Sequence, residues 1–409
     1  MKLFKNLLLI AAVSCGANSA SAQTWTQTSA PTHNWQSVAS SADGSNLVAA
    51  VADSKGIYTS TNSGVTWTQT SAPNKIWSSV ASSADGNKLA AASLQVVYTS
   101  TNSGNSWTSN SVPGTNLISI ASSADGSKLV AVVGATPSAS LGSIASGFIY
   151  VSTNSGATWI QSDAPSKVWS SVTSSADGTK LVAVTMNYPA NTNWIYTSTN
   201  SGVTWIQANA PTNLNWISVA SSVDGSKLAA VNDPAYTFVN SNLVFTALGL
   251  VYTSTNSGAT WVSNNVPNNV WQAVASSADG TKLAALHQGG GIYTSTNSGA
   301  TWTSNGVAAF PCWAMASSAD GNKLVMAVNG GGIWTSQTVP SPQLNLTPSP
   351  TNLTLAWTVP STNFVLQQSS DLTSWVDMPN PPVLNLTNLQ NEVMLSPSNR
   401  SGFYRLKTP

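Results

Sequence analysis

From residue 24 to residue 337 the chain is written in short runs of alternating apolar and hydroxyl-bearing residues, each closed by a turn-forming residue. In the first stretch the runs cover 36–41, 47–51, 56–61 and 66–70. Period-two alternation and β-branched residues at that length predict strands, because successive strand side chains point to opposite faces. Asp43-Gly44 separates the first two runs and Asn62-Ser63-Gly64 the last two. Both are hairpin signals, since Gly accepts the positive φ of tight turns and Asn bonds nearby backbone amides. No segment shows the 3.6-residue period of a helix, so an all-β chain is predicted.

The stretch repeats, and the repeat organises the chain. Ser-x-Asp-Gly recurs with its carboxylate at Asp43, Asp85, Asp125, Asp177, Asp224, Asp279 and Asp320. Eight residues before each stands Trp35, Trp77, Leu117, Trp169, Trp216, Trp271 or Cys312, the last with Trp313 displaced by one. A second motif, S-T-N-S-G-x-[ST]-W, places Asn62, Asn102, Asn154, Asn200, Asn256 and Asn297 in the turn of the last hairpin, and its seventh copy has decayed to Ile333-Trp334-Thr335-Ser336. Seven units of four strands predict a seven-bladed β-propeller over 23–339. The seventh unit lacks its fourth strand, while Thr24-Trp25-Thr26-Gln27-Thr28 matches one. The N-terminal strand is therefore expected to complete the last blade and hide its open edge.

The second motif, read as S-x-[DN]-x-G-x-[ST]-W, resembles the Asp-box, or BNR repeat, of sialidases, sortilin-like receptors, xyloglucan-active glycosidases and photosystem II assembly factors. The resemblance covers 24–337, with Asn in place of the usual Asp in every copy. It implies a propeller, with the six Asn residues in structural hairpins away from any active site. Sialidases, as that family is known, hold the substrate carboxylate with three arginines and use Tyr, Glu and Asp for the chemistry. Here Arg400 and Arg405 are the only arginines and Glu392 the only glutamate, all in the C-terminal segment. Lysine point charges cannot stand in for a bidentate arginine fork.

Composition narrows the function further. Charged residues make up 7% of the chain and the net charge is +1, so there is no basic footprint for nucleic acid. The 17 Trp supply the apolar area that a Ser/Thr/Asn-rich disordered chain lacks. Glycoside hydrolysis needs two opposed carboxyl groups. Outside the seven Asp-Gly turns the propeller offers only Asp53, Asp163 and Asp233, in separate units. His33 and His287 have no ligand-type residue at metal spacing, and one carboxylate per turn is sparse for calcium. No catalytic residue, metal or cofactor is assigned and no enzymatic activity is expected; the alternatives are a carbohydrate-active enzyme of the Asp-box class and a protein assembly or adhesion factor.

Antiparallel alternation sends the Asp-Gly and Asn-Ser-Gly turns to one rim and the second-to-third-strand loops to the other. Three long insertions, 134–147, 186–194 and 232–249, fall in those loops of blades 3, 4 and 5. Loops on a rigid scaffold are where binding concentrates. They carry Tyr188, Trp194, Tyr236, Phe238 and Phe245, and Trp169 and Trp216 begin on the same rim. These seven aromatics are the candidate ligand-binding set, for a polysaccharide or an extracellular or envelope protein; the alternative is that they only pack. A monomer is expected.

At the N-terminus, Met1-Lys2-Leu3-Phe4-Lys5, an apolar run over 7–13 and Ala20-Ser21-Ala22 read as a signal peptide of residues 1–22, which predicts export to the periplasm, cell surface or medium. Ala12-Val13-Ser14-Cys15 also fits a lipobox, with lipidation at Cys15 as the alternative. No other segment is long and apolar enough to span a bilayer. After cleavage Cys312 is the single thiol and is read as a small buried hydrophobe. Beyond Pro340-Ser341-Pro342 the repeat stops, and 340–409 is predicted to form a small β-sandwich. Its pattern, from Phe364 to Trp375 and then Gly402 to Leu406, resembles a fibronectin III-like module of secreted bacterial proteins.

Overall fold

The computed structural model describes residues 25–94, 96–134, 136–137, 144–145, 147–186, 194–212, 214–233, 236–239, 242–245, 249–305 and 311–337, and in the C-terminal part 344–348, 353–358, 365–370, 373–379, 381–385, 387, 390–395 and 403–407. Among them there is no helix, and the strands form small antiparallel sheets. Five units form separate sheets of four strands, and the four strands each of the first and seventh units join in one sheet of eight. In the second unit the strands are Trp77–Ser82, Leu89–Ser93, Val96–Ser100 and Thr108–Ser111, paired in chain order.

A circle of backbone hydrogen bonds joins the units. Ala42 N–H donates to Ala84 O, Ala84 to Ala124, Ala124 to Ala176, Ala176 to Val223, Val223 to Ala278, Ala278 to Ala319, and Ala319 back to Ala42, each at 2.7–2.8 Å. Seven links that return to their origin make a closed seven-membered propeller with the first strand of each blade at the axis.

The N-terminal strand completes the last blade as anticipated. Trp25–Gln27 pairs antiparallel with Ile333–Gln337, Trp25 opposite Ser336 and Gln27 opposite Trp334. The first inner strand is longer than its sequence pattern suggests, running His33–Ser40, because His33 and Asn34 pair with Gly331 and Asn329 of the preceding blade.

The core lies between blades. Each cluster joins the inner strands of one blade to the next: Trp169, Val172 and Leu181 of blade 4 pack on Val130, Val132 and Ile149 of blade 3. The second strands are buried along their apolar runs, at every position in Leu47–Val51, because blades cover both of their faces. The inner-strand Trp residues sit edge-on against a third-strand Tyr, with Trp77 and Tyr98 centroids 5.3 Å apart and Trp169 and Tyr196 5.4 Å apart. Cys312 fills the equivalent slot of blade 7; it is buried beside Met326, and burial pushes its thiol up to about 11. That is an inert packing thiol.

The C-terminal part has two sheets, Asn345–Pro348, Leu353–Thr358, Gln390–Leu395 and Val383–Asn385 in one, Val376–Asp377, Val365–Ser369 and Phe403–Lys407 in the other. They enclose a core of Leu355, Trp357, Leu366 and Val393, which makes the module a sandwich. Arg405 lies over the Trp375 ring at 4.2 Å and donates to Gln367 at 2.9 Å, a strand-side role. Leu384 leaves this core and packs with Ala42 and Ala319 at the propeller axis.

Candidate functional site

The two rims are built differently, and the turn rim explains most of the repeated residues. In the fourth blade Ser175 Oγ donates to Asp177 Oδ1 at 2.6 Å, the Thr179 N–H donates to the same oxygen at 3.0 Å, and Ser175 Oγ accepts the Lys180 N–H at 3.0 Å. In blade 5, burial would by itself raise the Asp224 pKa, but the Ser222 hydroxyl, the Ser226 amide and hydroxyl and the Lys180 charge outweigh it and bring it down to about 2. These carboxylates are consumed by their own turns.

Each Asn sits in the second turn and uses its amide at both ends. Asn200 Oδ1 accepts from Ser198 Oγ at 3.0 Å and from the Thr204 N–H at 2.9 Å, while Nδ2 donates to Thr204 Oγ1 at 2.9 Å. Asn62, Asn102, Asn154, Asn256 and Asn297 repeat the arrangement. A carboxylate lacks that donor, and the same contact would need the threonine hydroxyl to turn round. The following Ser takes φ near 57° in the left-handed region, and in blade 4 the Ser201 N–H reaches across to Thr179 O of the first turn at 2.8 Å. Both turns therefore share one rim, as alternation requires.

Lysines bind neighbouring blades together on this rim. Lys128 donates to Asp177 O at 2.9 Å and to Ser201 Oγ at 3.2 Å in the next blade, and Lys323 donates to Ser63 Oγ at 3.1 Å across the junction of blades 7 and 1. Their stems lie against the next turn, where a Cβ added to Gly178 would stand 2.7 Å from Lys128 Cδ. At the axis, Ser40-Ser41-Ala42 and its six counterparts line a cavity of about 180 Å³.

The opposite rim carries the insertions. Those of blades 3 and 5 each contain a two-stranded hairpin, Thr136–Pro137 with Ile144–Ala145 and Tyr236–Val239 with Asn242–Phe245. The second hairpin pairs Tyr236 with Phe245 and Phe238 with Leu243. Three of the candidate aromatics are thus brought onto one short ribbon. Trp194 stands at the end of the blade 4 insertion, half-buried against the cluster between blades 3 and 4, with its backbone N–H donated to Thr185 Oγ1 at 2.8 Å. Tyr188 lies outside the described residues.

Trp169 and Trp216 must be removed from the candidate set. Both are 0% exposed, inside the blade interfaces, so neither offers a face to a ligand. Trp169 donates its indole N–H to Gly147 O at 3.2 Å, and Trp216 stands edge-on to Tyr252 at 5.1 Å. The cause is a β-bulge in each inner strand, in blade 4 between Trp169 and Ser171. It keeps the first residue in the core and turns the second toward the next blade.

The bulged residues are Gln36, Ser78, Ile118, Ser170, Ile217, Gln272 and Trp313, a ring around the axis at the loop rim. In blade 7 Cys312 occupies the core slot and Trp313, one residue later, is 43% exposed. The displacement by one was visible in the sequence and is the signal for this outward indole.

The remaining carboxylates stand apart. Asp163 accepts the Trp205 backbone N–H at 3.1 Å, Asp53 accepts from Asn34 Nδ2 at 3.5 Å, and burial raises the pKa of Asp233 in blade 5. His33 shares a 3.1 Å hydrogen bond with Tyr58 Oη, while burial lowers the pKa of His287 beside Trp271. Among the described residues no three of His, Cys, Asp and Glu come together as a metal group, and no helix is long and apolar enough to cross a membrane.

No protein-family model matches the chain, and no curated protein matches it in sequence. Solved structures do match in shape. YCF48 bound to D1 peptide is similar with a TM-score of 0.56 at 13% identity, over 78% of this chain and 98% of that one. Hydrazine synthase of Kuenenia stuttgartiensis gives 0.59 at 15% identity, over 77% and 97%. The GH74 xyloglucanase of Xanthomonas campestris gives 0.56 at 15%, over 82% of this chain and 59% of that one. At such identities the likeness is one of fold, and the fold it shares with all three is the all-β propeller.

Proposed function

We propose that the protein is a non-catalytic, exported binding scaffold of the Asp-box propeller type, which holds a polysaccharide or a protein partner on the loop rim over blades 3 to 5. The observation that carries the reading is the asymmetry of the rims. On the turn rim the polar side chains are spent on their own hairpins and on the neighbouring blade, whereas blades 3 and 5 carry added hairpins on the other. Insertions on a rigid repeat scaffold mark the face that varies with the partner. Trp194, Tyr236, Phe238 and Phe245 are the anchors, amphipathic or apolar faces suited to sugar rings or peptide side chains.

A catalytic reading, by analogy with the xyloglucanase, needs two opposed carboxyl groups. Asp53, Asp163 and Asp233 belong to different parts of the ring, which favours binding without turnover. The C-terminal sandwich, fibronectin III-like in this reading, serves as a spacer or attachment module. The test is capture of partners from the native envelope fraction and from a glycan array by the mature chain, beside a variant with 134–147 and 232–249 cut to tight turns. Capture by the first and not the second supports the proposal; equal capture, or release of reducing sugar from any glycan, overturns it.

A further inference from the structure

The seventh blade departs from its siblings at one point. Five blades place a Trp in the first slot of the inner strand, Trp35, Trp77, Trp169, Trp216 and Trp271, and all are 0% exposed. Blade 7 fills the slot with Cys312, and its aromatic falls on the bulged residue instead. A shift of one residue sends a strand side chain to the other face. Among the aromatic side chains whose exposure is described, Trp313 is in consequence the exposed one.

The surroundings of Trp313 are as particular as its exposure. At the same level of the ring the flanking blades 6 and 1 carry Gln272 and Gln36, both half-buried. Three other members of the ring are spent on the scaffold: Ser78 and Ser170 donate to Leu117 O and Trp216 O of the next blade at 2.6 Å, and Ile118 packs into the blade 3 to 4 cluster. Blades 6, 7 and 1 also have tight second-to-third connections, as blade 2 does, closed by His287 N–H to Gly291 O at 3.1 Å, Val328 N–H to Gly332 O at 3.1 Å and Val51 N–H to Gly56 O at 3.3 Å. The Gln-Trp-Gln arc therefore faces the inserted hairpins from across the axis.

We propose that this axial arc is a binding site for a neutral sugar unit, with the Trp313 indole as the stacking platform and the Gln36 and Gln272 amides as the groups that read its hydroxyls. An indole presents a broad apolar face to the C–H side of a pyranose. Amides both donate and accept, which matches vicinal hydroxyls. None of the three carries charge, so a carboxylate or phosphate ligand would find no ionic partner among them. The site shares the loop rim with the scaffold reading and goes beyond it by naming a ligand class and residues outside blades 3 to 5.

Titration of the full chain with cellohexaose and with maltohexaose, followed by calorimetry, tests it. Saturable binding of at least one is the expected result, weakened by about tenfold or more in Trp313→Ala and restored in large part by Trp313→Phe. Gln36→Ala and Gln272→Ala weaken it by about threefold to tenfold each. Trp313→Ala should melt with the parent protein, since its indole lies outside the core. No binding of either sugar, or binding that survives Trp313→Ala, overturns the site. A variant with 234–248 shortened separates the two readings: sugar binding lost there but kept in Trp313→Ala places the sugar at blade 5, leaving the scaffold reading standing and the axial site refuted.

Discussion

The two rims of this propeller solve opposite problems with the same strands. On the turn rim sequence and geometry agree seven times over, and nearly every polar atom is engaged with its own turn or the next blade. On the loop rim the copies diverge, with hairpins over blades 3 and 5 and tight closures over blades 6, 7 and 1. Repetition here marks what the ring needs to close, and divergence marks where the molecule is free to differ.

The largest effect belongs to the buried wall between the rims. Trp216→Ala should cost about 3–5 kcal/mol, read from thermal or denaturant unfolding. A variant that unfolds like the parent yet binds its partner poorly would return Trp216 to the surface. On the turn rim, Gly225→Ala should cost about 1–2 kcal/mol or more, because Gly225 has φ of +66° and a Cβ there would stand 2.8 Å from Lys180 Cβ. Unchanged unfolding would show that the lysine stem yields and that the blades are less tightly joined.

Acid should weaken the same rim. For Asp85, Asp125, Asp177, Asp224 and Asp279, burial would raise the pKa, but hydrogen bonds outweigh it, and each is lowered in the folded protein. A lowered folded pKa means that the unfolded chain takes up protons first, so the stabilisation is present above the unfolded value and is lost as pH falls from about 4 toward about 2. Asp320 opposes the trend, since burial raises its pKa. A melting temperature that holds constant from pH 5 to pH 2 contradicts the turn-rim account. The smallest effect should follow Asn200→Asp, within about 0.5 kcal/mol at neutral pH, because Thr204 can reverse its hydroxyl and donate to the new carboxylate. Asn200→Leu, which removes both functions, should cost about 1–2 kcal/mol.

Much of this was legible in the sequence, and the rest was hidden for identifiable reasons. The Asp-Gly and Asn-Ser-Gly turns announced their hairpins because few residues satisfy those backbone angles, and Trp25-Thr26-Gln27 announced ring closure because it copies a fourth strand. The burial of Trp169 and Trp216 was harder to read, since they open their strands and look like rim residues. The bulge that seats them is invisible to a period-two pattern. The same bulge concealed Trp313, although its offset from Cys312 was on view. The lysine bridges between blades depend on contacts separated by many dozens of residues, beyond any local pattern.

The pairing of Trp25–Gln27 with Ile333–Gln337 has a consequence for how the molecule comes into being. This strand is made before the inner strands of all seven blades yet belongs to the last blade to be completed, so it must wait unpaired while the six intervening blades are made. Closing so long a loop is entropically costly, and contacts of such separation form slowly. Until then the ring is an open arc with an exposed sheet edge at each end. Birth order and assembly order run in opposite directions, and the finished disc is sealed by the segment that has been waiting longest.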